Sequence, residues 1–261
     1  MLPLNLDRAL AAALLILASG CRAEGSAPAA DPAPAPELGL MGTIPIYWGE
    51  EAAFGDALSG NASPHWARDR LEARFALRPL DTLSDATLRD LDFLLLAQPR
   101  ALAPSENVAL DSWVRAGGRV LLFADPMLTG ESRFAIGDRR RPQDVILLSP
   151  ILGRWGLRLE FDDSQPAGPA TLDAAVPIPV NLPGRFALAG EAGDCTLEAA
   201  NVLARCTIGE GQALVLADAA VLDLQQPHPA ASAALSWLAE QGFGETREIA
   251  GTSDSGRSAP E

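Results

Sequence analysis

Leu91-Asp92-Phe93-Leu94-Leu95-Leu96-Ala97-Gln98-Pro99, followed after a helical stretch by Gly117-Gly118-Arg119-Val120-Leu121-Leu122-Phe123-Ala124-Asp125-Pro126, decides the fold of this 261-residue chain. Each half holds a short continuous apolar run bounded by polar and turn-forming residues. That is the pattern of a strand buried on both faces. Between them, Pro104 to Ala116 reads as a helix: Pro104 suits the first turn, Glu106 complements the positive helix end, and Gly117 supplies the left-handed stop. Leu110, Trp113 and Val114 form its apolar face. Strand, helix and strand in this order make a βαβ unit and hence a parallel α/β sheet.

Working outward, the pattern predicts a first strand over Ile44–Trp48, a helix over Pro64–Phe75, a second strand over Ala76–Leu80 and a short helix from Ser84 to Leu91 capped by Ser84. Beyond the opening unit come a helix over Leu147–Trp155 closed by Gly156, and a strand over Leu157–Phe161. Residues 162–212 are rich in Pro, Gly and short alternating apolar runs, and read as a small antiparallel β subregion. A strand over Gln212–Leu216 and a helix over Ala230–Glu240 finish a mostly parallel, doubly wound α/β domain spanning residues 39–249.

The two ends differ in character. Arg8, the apolar run Ala9–Ala18 and Ser19-Gly20-Cys21 have the form of a secretory signal. Ending on Cys21, the segment resembles a bacterial lipobox. That resemblance implies a signal peptide over 1–21, a lipidated (palmitate-bearing) Cys21 as the mature N-terminus, and a lipoprotein on the periplasmic side of a bacterial envelope. Arg22 in place of Asp gives no inner-membrane retention signal, which favours the outer membrane. Residues 22–38 form a Pro/Ala-rich spacer, and 250–261 a polar tail. An ordinary signal with an incidental Cys is the simpler alternative.

Formal net charge is −14, with no Lys among the 20 basic residues and no basic stripe. This speaks against nucleic-acid binding. The other two cysteines, Cys195 and Cys206, flank two short strands about an Ala-Asn turn. An oxidising compartment favours a disulfide there over two free thiols or a metal site. With only His65 and His228 available, no metal centre is expected.

Gln98-Pro99, Ala109-Leu110-Asp111, Gly117-Gly118-Arg119, Asp125-Pro126 and Trp155-Gly156-Leu157, in that order, resemble the periplasmic auxiliary components of ABC-type uncharacterised transport systems, including the gliding-motility-associated type. The run from Gly209 to Asp218 is similar to the last strand of glutamine-amidotransferase-like folds. The resemblance implies a flavodoxin- or amidotransferase-like sheet. It also implies a non-enzymatic role in protein contacts with an ABC permease and ATPase or other envelope proteins. Typical members carry membrane-spanning helices where this chain offers only a lipid anchor.

In doubly wound sheets, ligands sit beyond the carboxyl ends of the strands. Trp48, Glu50, Gln98, Arg100, Asp125 and Asp218 fall there and define a possible ligand edge suited to a sugar or small ligand. Asp125 and Asp218 equally suit the bracing of turns, and Glu50 a solvated loop. No nucleophile elbow is present, neither Cys195 nor Cys206 follows a central strand, and the glycines at 117 and 118 end a helix instead of opening one. No catalytic residue and no cofactor are therefore expected. The alternative is an envelope hydrolase or carbohydrate-binding protein using Glu50, Asp125 and Asp218. A structural lipoprotein without a ligand is a third reading. Arg139-Arg140-Arg141 is the one basic cluster, suited to an anionic surface or to a solvated loop.

Overall fold

A computed structural model describes residues 34–50, 65–190, 194–223 and 229–244. The expected signal peptide, Cys21, most of the spacer, His228 and the polar tail lie outside the described residues. Eleven strands and six helices follow: β1 Glu37–Gly42, α1 Trp66–Glu72, β2 Ala76–Pro79, α2 Asp85–Leu88, β3 Phe93–Ala97, α3 Pro104–Arg115, β4 Arg119–Phe123, α4 Ser149–Arg154, β5 Leu157–Glu160, β6 Ala170–Leu172, β7 Ile178–Val180, β8 Arg185–Leu188, β9 Asp194–Glu198, β10 Leu203–Ile208, β11 Gly211–Leu216, α5 Ala220–Asp223 and α6 Pro229–Phe243.

Seven strands form one sheet in the order β2-β1-β3-β4-β11-β10-β9. The first five are parallel, and β10 and β9 extend the sheet antiparallel. The opening unit folds as its apolar runs require. Leu94 to Ala97 and Val120 to Phe123 are fully buried, so both faces of the central strands are covered. On one face α6 packs against β4 and β11, where Phe75, Phe93 and Phe243 meet edge to face or tilted. On the other, α3 seats Leu110 and Val114 in the core. Burying these runs on both sides is the main stabilising force of the layer arrangement.

The two glycines after α3 have separate jobs. Gly117 takes φ +113, which L side chains rarely adopt, and ends the helix. A Cβ on Gly118 would lie 2.5 Å from the Trp113 ring, so its bare backbone seats that indole.

The first strand differs from expectation. It is Glu37–Gly42, with Leu38 to Met41 buried, and not Ile44–Trp48. Ile44–Trp48 coils into a turn instead, with Ile46 N donating to Ile44 O at 2.8 Å and Gly49 N to Pro45 O at 2.8 Å. The glycines at 39 and 42 look like strand breakers, yet Gly39 makes room for the Leu80, Leu91 and Leu94 side chains and Gly42 for the backbone of β3. A Cβ at Gly42 would stand 2.0 Å from the Ala97 carbonyl oxygen.

Beyond β5 the antiparallel subregion is present as two small sheets, β5-β8 and β6-β7, and the β9-β10 hairpin on the main sheet. Ala199, Ala200 and Asn201 all take positive φ in the hairpin turn. Cys195 and Cys206 are cross-strand partners in that hairpin and are joined by a disulfide. Among the described residues, no helix is long and apolar enough to cross a membrane.

Candidate functional site

The carboxyl edge of the parallel sheet is built from the turns after β1, β3, β4 and β11. Gln98 follows β3 in the left-handed region, at φ +48, a conformation that costs a non-glycine residue on the order of 1 kcal/mol. Its buried side chain supplies the compensation. Nε2 donates to the carbonyls of Asp125 and Gln143, each at 2.9 Å, and Oε1 accepts from Asp125 N at 2.8 Å. Gln98 thus ties the turn after β3 to the turn after β4 and to the loop beyond it.

Asp125 and Asp218 are buried to within about 1% of their surface, and their carboxylates accept backbone amides. Asp125 takes Met127 N at 2.8 Å on Oδ1 and Ala219 N at 3.0 Å on Oδ2. Asp218 takes Ala220 N at 2.7 Å and Asn181 N at 2.9 Å. Each carboxylate therefore braces its own turn and joins it to a neighbouring segment.

The loop between β4 and α4 roofs this edge. Thr43 Oγ1 donates to Gln98 O and accepts from Gln143 N at 2.9 Å, while Leu128 and Ile146 of the loop itself are buried. Glu50 accepts from the Ser132 hydroxyl and, at 3.0 Å, from Arg133 N. Glu50 is thus held by the loop and not simply solvated. Trp48 is exposed and touches Tyr47 edge-on.

Arg100 is turned away from the edge by Glu106 of α3. Its guanidinium forms a two-point pair with that carboxylate at 2.7 and 2.8 Å. Glu106 also accepts from Ala103 N at 2.8 Å and Leu83 N at 3.1 Å. The Arg100 hydrogen bonds, aided by those amides against the cost of burial, hold the Glu106 carboxyl down at about 2. Glu106 does more than complement a helix end: it fastens α3 to two loops.

Asp111 has a similar part in the Ala-Leu-Asp motif. It accepts from Arg115 Nε at 2.9 Å, from Arg154 Nε, and from the Trp155 indole Nε1 at 3.3 Å. Burial opposes its ionisation, but the two arginines outweigh that and keep the carboxyl below its usual range. The motifs at 109–111 and 155–157 are therefore halves of one contact, invisible as such in a linear reading. Arg140 and Arg141 of the basic cluster are paired with Asp138 and Asp144.

Two cavities border this region. One, of about 20 Å³, lies among His65, Glu50, Glu131 and Leu128, with room for about one water. His65 caps α1 by accepting Ala67 N at 3.2 Å on Nδ1, and Leu222 lines the same cavity beside its ring. Burial lowers its pKa to about 4, with the Leu222 backbone opposing. The other is an apolar groove of about 370 Å³ between Pro126, Ile146, Leu148, Leu152 and β5. No group of three His, Cys, Asp or Glu suited to a metal occurs among the described residues.

No curated protein matches this sequence. Several solved structures are similar to this chain at low identity. The mmIFT52 N-terminal domain is 15% identical over 80% of this chain and 97% of its own, with a TM-score of 0.49. A putative ThuA-like protein from Bacteroides uniformis is 9% identical over 84% and 98%, with a TM-score of 0.45. A cold-adapted β-galactosidase from Rahnella sp. R3 is 14% identical over 79% of this chain, with a TM-score of 0.44. The chain spans only 31% of that β-galactosidase. Residues 49–167, just under half of the chain, match the family described as ABC-type uncharacterized transport system, and the match supports an auxiliary component of such a system.

Proposed function

We propose that this protein is a non-enzymatic auxiliary component of an ABC-type transport system, held on the periplasmic side of a bacterial envelope by a lipid on Cys21 and acting through protein contacts. The observation that carries the reading is the family match over residues 49–167, which holds all the motifs from Gln98 to Leu157. The geometry lends support. The polar side chains at the carboxyl edge are spent on joining turns, and the loop between β4 and α4 lies over the place where a doubly wound sheet would take a ligand. The parallel order β2-β1-β3-β4-β11 is the order of flavodoxin-like sheets and supports that finer reading of the fold.

The test is cross-linking of the full-length protein in its native membrane, followed by mass spectrometry. Recovery of an ABC permease or ATPase supports the proposal; repeated recovery of neither overturns it. Metabolic labelling with a palmitate analogue, lost in Cys21→Ser, tests the anchor separately.

A further inference from the structure

Among the described residues strand β5 has one partner, β8, and its other edge borders the apolar groove. Antiparallel strands alternate between residues that bond their partner and residues that turn their N–H and C=O outward. Two bonds set the parity here. Ala189 N donates to Gly156 O at 2.8 Å, whereas Phe186 N, opposite Leu159, points away from β5 to Asn201 O at 2.7 Å. Gly156, Arg158 and Glu160 therefore face β8. Leu157 and Leu159, and Phe161 by the same alternation, turn their backbone groups toward the groove. Among the described residues, no turn, loop or second-strand backbone bonds to the N–H or C=O of Leu157 or Leu159.

The side chains on this edge are self-complementary. Arg158 and Glu160 are exposed on one face of the strand and ion-paired to each other at 2.6 Å. A second copy of β5 laid antiparallel, with Leu159 opposite Leu159 across a twofold axis, sets Arg158 opposite Glu160 of the second copy and Glu160 opposite its Arg158. The same register pairs outward backbone groups only: Leu159 with Leu159, and Leu157 with Phe161. Moving the axis to Glu160 sets Glu160 against its own copy, a repulsive pair. Exposed Leu147 and Leu188 add apolar surface at this end of the domain.

We propose that two copies of this chain associate through β5, joining their β5-β8 sheets into one four-stranded sheet across a twofold axis. The inference is independent of the transport reading.

Sedimentation velocity on the full-length chain in a mild detergent tests it, with thermal melting confirming that each variant folds. A concentration-dependent dimer is expected. Arg158→Glu creates two carboxylate pairs, and Glu160→Arg two cationic pairs; each should weaken the dimer about tenfold to thirtyfold. The double variant Arg158→Glu/Glu160→Arg restores both pairs and should restore the dimer. So should mixing the two single variants with each other. A chain that stays monomeric at all concentrations overturns the proposal. So does a dimer indifferent to the single charge changes, or one that the double variant fails to recover.

Discussion

The Glu106–Arg100 clamp offers a direct test of how the loops around the sheet edge are held. Replacing Glu106 with Gln keeps the shape and one acceptor but removes the charge. The folded carboxyl sits at about 2 against 4.5 for a free one. At ~1.4 kcal/mol per pH unit, that depression corresponds to about 3 kcal/mol. The Glu106 side chain is 7% exposed, but the Arg100 side chain is 41% exposed, and solvent screening reduces the figure to about 2 kcal/mol. The sign follows from the direction. A carboxyl whose folded pKa is depressed stabilises fully above its unfolded pKa, and that stability is lost as pH falls through the folded value. The window runs from pH 4.5 down to about 2. Urea unfolding followed by tryptophan fluorescence should show Glu106→Gln less stable by about 2 kcal/mol at pH 7. By pH 3 roughly half of that difference or more should be gone, because the unfolded chain has taken up a proton at this position while the folded carboxyl is still mostly ionised. A penalty equal at pH 7 and pH 3 would refute the reasoning, since neutral contacts would then account for the whole effect.

Other predictions can be checked with the same unfolding assay. Removing the Cys195–Cys206 bridge by Cys195→Ser/Cys206→Ser should cost about 3 kcal/mol, given the separation of 11 residues, and reducing agent should do the same to the wild type but nothing to the variant. Wild-type stability should fall by up to about 3 kcal/mol as pH drops from 6.5 to about 4, because the unfolded chain protonates His65 before the folded chain does. His65→Asn, which keeps a helix-capping acceptor, should flatten that dependence. Gly118→Ala should push the Trp113 ring aside, cost about 1–3 kcal/mol and shift the fluorescence maximum.

The central layer was legible because its signals are local. The runs Phe93–Ala97 and Arg119–Phe123 are apolar without alternation, and Pro104 and Gly117 mark the ends of the helix between them. The cysteine hairpin was legible for the same reason. The first strand was not, because Gly39 and Gly42 have low intrinsic strand preference, and only the packed leucine side chains around Gly39 and the β3 backbone beside Gly42 explain why glycine is needed there. The edge residues were identified as lying beyond the strands, but their work was hidden. Gln98, Asp125 and Asp218 each bond segments that are up to 94 positions away, and no spacing in the sequence announces such a partner. The roof loop was missed outright. Its decisive contacts run from Gln143 to Thr43 and Gln98, and from Ser132 to Glu50, with nothing periodic to reveal them.

Strand order has a consequence for what the matched segment 49–167 can be. In the sheet, β1 lies between β2 and β3, and β11 closes the far side of β4. The segment contains β2, β3 and β4 but neither β1 nor β11. Excised, it would leave β2 without a neighbour and Val120–Phe123 with a bare hydrogen-bonding edge. The recognisable part of the chain is thus a middle piece and not a module. A piece cut at its boundaries lacks both the strand before it and the strand that arrives some ninety residues after β4.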